Sequence, residues 1–313
     1  MPDCPEIRCS DCERMDLVQV HVPRHAKEEI SVRKKRKGGL IIIGGREEKQ
    51  SSAERIILKE IASRANKDNG KLLIITAATG FPKEVEEEYL AVFRELGVQN
   101  VDVLDVRTRE DSHRKSLVAK IAGATVIFFT GGDQLRITSQ MGNSPILAKM
   151  REAFEKGATI AGTSAGAAAM PETMLISGAN DKSTTIYTTG MAPGLGLVDG
   201  VVIDSHFAER GRFGRLLGAV VENPRNMGIG IDENTAIITH GDGTFKVIGT
   251  GAVYIFDGSD ISYSSLSDKN PEGTVSIFDI KLHILRANDC FDMHTRRPVP
   301  GESQDNGLRG QSS

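Results

Sequence analysis

The segment Gly162-Thr163-Ser164-Ala165-Gly166 fits the pattern G-x-S-x-G. It follows the apolar stretch Ala158-Thr159-Ile160-Ala161 and leads into small residues from Ala165 to Ala169. A strand before and a helix after are what a nucleophile elbow requires, because a tight turn then lifts the serine side chain at the strand's end. Such a turn can also do no more than let a helix pack closely on a sheet; its position after a buried strand favours the elbow. The chemistry indicated is acyl transfer, with the Ala165 N–H facing the oxyanion that develops. A serine nucleophile needs a base, usually histidine. Of seven histidines, His21 and His25 lie near the N-terminus, and His113 begins a helical stretch. His240 is in a turn, His283 is inside a strand pattern, and His294 is near the tail. His206 alone follows a short apolar run, Val201-Val202-Ile203, so it too stands at a strand's carboxyl end.

A third residue must orient the imidazole. Between Ser164 and His206 the acids are Glu172, Asp181, Asp199 and Asp204. Asp181, in a loop with glycine and asparagine, is placed to reach back over the site, but the residues alone do not choose among the four. The second oxyanion donor is expected from Gly131-Gly132, at the end of another apolar run, where glycine lets backbone approach a ligand. Beyond His206 comes Arg210-Gly211-Arg212-Phe213-Gly214-Arg215. Arg212 and Arg215 share a helix face. Arginines beside a catalytic residue commonly clamp carboxylates, although a charge run is also the ordinary dress of a solvated face.

The elements that must carry these residues alternate. Gly39–Ile43, Lys71–Thr76, Val101–Leu104, Thr125–Thr130 and Ala158–Gly162 are short apolar runs, each separated from the next by a helical pattern. Continuous apolar runs of this length are strands buried on both faces. The expectation is an α/β fold with a doubly wound, mainly parallel sheet flanked by helices. Ligands in such sheets bind beyond the carboxyl ends of the strands. After about residue 225 the pattern reads as antiparallel strands. These include a hairpin around His240-Gly241-Asp242-Gly243 and are expected to extend the same sheet.

The chain has 313 residues and a formal net charge of −3, with 39% hydrophobic and 26% charged residues. That length and composition suit one large folded domain or two small ones and argue against a dedicated nucleic-acid binder. No apolar run is long enough to span a bilayer, and the polar N-terminus lacks the apolar core of a signal peptide. Three of the four cysteines crowd into the first twelve residues, unlike a disulfide framework, so a cytoplasmic setting is expected. Residues 1–37 read as a flexible N-terminal arm, 38–295 as the catalytic domain and 296–313 as a flexible tail. In the arm, Cys4, Cys9 and Cys12 lack the second C-x-x-C that would make a zinc site. The basic run at residues 33–37 offers only a weak case for an anionic surface. No metal or organic cofactor is expected.

Four segments in order resemble cyanophycinases, members of the serine peptidase family that also contains the aspartyl dipeptidase peptidase E. They are Phe129-Thr130-Gly131-Gly132-Asp133-Gln134, Gly162 to Ala167, Asp204-Ser205-His206-Phe207 with Arg210, Arg212 and Arg215, and Gly230-Ile231-Asp232-Glu233. The resemblance implies a fold like that of class I glutamine amidotransferases and, usually, a homodimer. It implies a serine exopeptidase that releases β-Asp-Arg dipeptides from cyanophycin, a poly-aspartate with arginine on each side-chain carboxyl group. Ser164 would be the nucleophile, His206 the base, and Asp181 the acid closest to the family's third position. Gly131, Gly132 and Ala165 would hold the oxyanion, while Gln134, Asp204, Arg210, Arg212, Arg215 and Glu233 would contact substrate. Ser205 departs from the pattern, which has glutamine before the histidine. The rival readings are a dipeptidase for short aspartyl or isoaspartyl peptides and a non-catalytic peptide-binding protein on the same scaffold.

Overall fold

The structure, a computed structural model, describes residues 38–176, 190–266 and 275–299. The five apolar runs form β1 (Leu40–Ile43), β2 (Lys71–Ile75), β3 (Val101–Leu104), β4 (Ala124–Phe129) and β5 (Thr159–Thr163). They pair in parallel in the order β1-β5-β4-β2-β3. The helices are α1 (Ile56–Asn66), α2 (Pro82–Glu95), α3 (Lys115–Lys120), α4 (Gln134–Met141), α5 (Pro145–Glu155), α6 (Ala165–Ala168) and α7 (Phe213–Glu222). Proline opens α2 and α5, where its missing N–H costs nothing. The Ser144 hydroxyl caps α5 by accepting the Leu147 N–H at 3.3 Å.

Strand side chains alternate between two cores. Ile41 and Ile43 join Ile57, Leu58 and Ile61 of α1 and Tyr89 and Phe93 of α2. Leu40 and Ile42 face the other way, into the core that holds Ile137 of α4 and Ile146 and Met150 of α5. Both faces of the parallel sheet are thus covered, and its C-terminal strand ends remain available for a site.

The later strands are β6 (Thr173–Leu175), β7 (Met191–Pro193), β8 (Val201–Ser205), β9 (Met227–Ile231), β10 (Thr235–Thr239), β11 (Thr244–Gly249), β12 (Val253–Asp257), β13 (Tyr263–Ser264), β14 (Ile277–Phe278), β15 (Lys281–Leu285), β16 (Cys290–Asp292) and β17 (Arg297–Val299). The hairpin β10–β11 forms as expected and adds antiparallel to β1, followed by β16 and β17. The strands at 253–257 and 281–285 depart from expectation. They join β8 and β9 in a separate four-stranded sheet, ordered β15-β12-β9-β8. Val201, Ile203, Ile229 and Ile231 of that sheet enter the same core as Leu40 and Ile42. Its other face meets α7 through Val202, Leu216 and Val220. A side chain on Gly228 would press on Leu216 and Val220 at 2.8 Å, so glycine there lets α7 close down on the sheet. The second sheet therefore replaces part of a helical layer, and β8 runs parallel to β9 within it. In consequence, the loops after β8 and β9 emerge side by side.

Candidate active site

Ser164 follows β5 and adopts φ 54°, ψ −112°, outside the regions a non-glycine residue prefers. Such a conformation costs on the order of 1–3 kcal/mol and persists only where neighbours enforce it. The enforcement is visible. The Ser164 N–H donates to the Ile43 carbonyl at 3.0 Å. A Cβ on Gly166 would lie 2.7 Å from Phe129, so glycine is required for the turn to sit on β4. The expected elbow is present, and α6 beyond it spans only Ala165–Ala168.

Three consecutive carbonyls at the end of β1 hold the rest of the site. Ile43 takes the Ser164 N–H, Gly44 takes the His206 N–H at 2.8 Å, and Gly45 takes the Asn234 N–H at 2.8 Å. His206, with φ 49°, is also forced into the left-handed region. Its Nε2 lies 2.8 Å from Ser164 Oγ and its Nδ1 lies 2.7 Å from Glu233 Oε1. Serine, imidazole and carboxylate thus form one continuous chain of hydrogen bonds. Burial holds the His206 pKa below the usual histidine range, with the hydrogen bond to the Glu233 carboxylate working against it. Arg210 and Arg212 also disfavour the imidazolium. A histidine kept neutral is ready to accept the serine proton.

The carboxylate hydrogen-bonded to His206 is Glu233, a residue expected at the substrate. Asp181, expected in that place, lies outside the described residues. Glu233 reaches His206 because it follows β9, the parallel neighbour of β8. Asp232 fixes that loop: its carboxylate accepts the Ala208 N–H at 3.0 Å and the Ala252 N–H at 3.1 Å. Arg46 Nε also stands 3.3 Å from Glu233 Oε1. Neither Gly45 nor Arg46 was singled out from the sequence, although Gly44-Gly45 at the end of an apolar run was the available signal. A side chain on Gly45 would collide with the His206 ring, and its φ of 112° is one that glycine tolerates.

Gly131 lies beside Ser164, where an added Cβ would be 3.4 Å from the serine Cβ. Gly132, at φ 144°, packs on the Ala78 carbonyl, and the Asp133 N–H donates to that same carbonyl at 3.0 Å. The Ala165 N–H, in the first turn of α6, has no intrahelical acceptor. Gln134 is buried, and its amide donates to the Leu175 carbonyl at 2.9 Å. Asp204 is fully buried and binds Arg212 Nη1 at 2.9 Å, Arg215 Nε at 3.0 Å and Arg215 Nη2 at 2.7 Å. The two arginines expected on a substrate carboxylate are therefore engaged by a carboxylate of the protein itself. Asp204 itself is buried beneath these two arginines. Arg210, by contrast, is exposed.

Residues 40–247 match peptidase family S51, two thirds of the chain. This chain belongs to peptidase family S51. The chain is 36% identical over 244 residues to a cyanophycinase of Synechococcus elongatus, covering 78% of this chain and 76% of that one. It is 34% identical over 247 residues to a cyanophycinase of Nostoc sp., covering 79% and 83%. A solved peptidase from an acI-B1 actinobacterium superposes with a TM-score of 0.60 at 21% identity, over 83% of this chain and 98% of that one, and shares the fold. The S51 chain is a serine-type peptidase resembling cyanophycinases. Among the described residues, no helix is long and apolar enough to cross a membrane.

Proposed function

We propose that this S51 peptidase hydrolyses cyanophycin to β-Asp-Arg dipeptides through an acyl-enzyme on Ser164. The observation that carries the reading is the hydrogen-bonded series from Ser164 Oγ through His206 to Glu233. His206 Nε2 takes the hydroxyl proton as Oγ attacks the aspartyl carbonyl carbon. Glu233 holds the Nδ1–H tautomer and stabilises the imidazolium that forms. The N–H groups of Ala165 and the Gly131-Gly132 turn receive the oxyanion. His206 then gives its proton to the leaving amine, the acyl-enzyme remains, and water activated by the same imidazole releases the acid.

The substrate assignment draws on the relatives named cyanophycinase. Arg210, exposed beside His206, is the arginine in position to meet a substrate carboxylate. Arg212 and Arg215 support the site through Asp204. The working form is proposed to be a homodimer, as in the family the sequence resembles. The test is product analysis after incubation with insoluble cyanophycin and, separately, with short isoaspartyl peptides. Release of β-Asp-Arg from the polymer is the expected result. Cleavage of the short peptides with the polymer left intact would give the dipeptidase reading instead, with Ser205 as the residue to exchange for glutamine.

A further inference from the structure

Beneath the elbow lies a buried carboxylate that the mechanism does not use. Glu47 is 4% exposed, and both its oxygens are occupied by hydroxyl donors. Thr163 Oγ1 donates to Oε2 at 2.6 Å, and the Tyr89 hydroxyl donates to Oε1. Burial, reinforced by Glu47, pushes the Tyr89 hydroxyl well above its ordinary pKa, so it remains a donor. The Tyr89 ring is itself fixed edge-on against Phe128 of β4, with centroids 4.9 Å apart. Lys49 lies over the Tyr89 ring at 4.4 Å and pairs with Glu88. A buried carboxylate held by neutral donors is costly to keep, and simple packing does not require one.

Its place in the chain gives it a use. Thr163 immediately precedes the strained Ser164. Glu47 lies two residues after Gly45, whose missing side chain leaves room for the His206 ring. The carboxylate therefore bridges the segment that aims the nucleophile and the segment that seats the base. We propose that Glu47 is a positioning residue, setting the Ser164 Oγ to His206 Nε2 distance by tying the Thr163 hydroxyl to the segment after β1. The inference rests on Ser164 as the nucleophile. It does not depend on which peptide is cleaved.

The test uses a fluorophosphonate, which reacts with activated serines whatever their substrate, on the full chain and its variants. Labelling at Ser164 is mapped by peptide mass, alongside kcat and KM on cyanophycin. Misplacement by about 1 Å costs on the order of 100-fold. Glu47→Gln and Thr163→Val are accordingly expected to slow labelling roughly 10- to 100-fold. Their kcat should fall in step while KM stays within about twofold, because no substrate contact is lost. Thr163→Ser, which keeps the hydroxyl, is expected to stay near wild type. Wild-type labelling rates in Glu47→Gln and Thr163→Val would overturn the proposal, as would Thr163→Ser as slow as Thr163→Val. If Glu47→Gln does not fold, the comparison of valine with serine at position 163 decides alone. A wild-type protein unlabelled at Ser164 would end both this inference and the proposed mechanism. Rapid labelling with cyanophycin untouched would remove the substrate assignment only.

Discussion

Gly45 lacks a side chain where the His206 ring needs the space, and its carbonyl also supports the residue next to Glu233. Gly45→Ala is expected to displace the imidazole and lower kcat at least about 100-fold. Steady-state kinetics beside a thermal melt would check this, and an active alanine variant would show that the ring can shift without consequence. The lowered pKa of His206 sets the pH dependence. Protonation of the base stops catalysis, so the acidic limb of kcat/KM should fall below the ordinary histidine value of about 6.5. Glu233→Gln removes a group that favours the imidazolium, so the limb should move further down. Its kcat should drop on the order of 10²- to 10⁴-fold as the preferred tautomer is lost. A limb above 6.5, or a glutamine variant with wild-type kcat, would contradict the assignment. That Ser164 and His206 stand at neighbouring strand ends was legible because each follows its own apolar run within a few residues. The contact of Glu233 with His206 was not legible, because it depends on a parallel pairing of β8 with β9 that no local pattern records.

Among the elements, the five parallel strands and the β10–β11 hairpin could be read from run length and glycine placement, since those signals are local. The assignment of β12 and β15 to a second sheet could not. The apolar run of β12 would suit either sheet and only its pairing with β9 decides, while β15, largely exposed, follows by pairing with β12. The role of Arg212 and Arg215 was hidden for a related reason. Their spacing gave a shared helix face, but not the buried carboxylate beneath it. Asp204, at the end of β8, ties α7 to the strand that delivers His206. Asp204→Asn would leave two arginines facing a neutral amide in a buried site. Removing one partner of such a cluster typically costs about 3–5 kcal/mol. Urea unfolding should report a loss of that order, and a loss under about 1 kcal/mol would mean the cluster behaves like an exposed ion pair.

At the scale of the whole molecule, two sheets of different construction meet over one apolar core. One carries Ser164 at the end of β5. The other carries His206 and Glu233 at the ends of β8 and β9. The strand β1 lies between them in function, because its last carbonyls hold all three loops in register. This division explains why the site needs nearly the whole described fold and why the family match runs from β1 into β11. The central claim is that Ser164 performs the hydrolysis. The most direct measurement is the rate of soluble dipeptide release from cyanophycin by wild type and by Ser164→Ala, each confirmed folded. The alanine variant is expected to lose at least about 10⁴-fold. Release within about tenfold of wild type would contradict it, because no chain of hydrogen bonds ending at residue 164 would then be needed for the reaction.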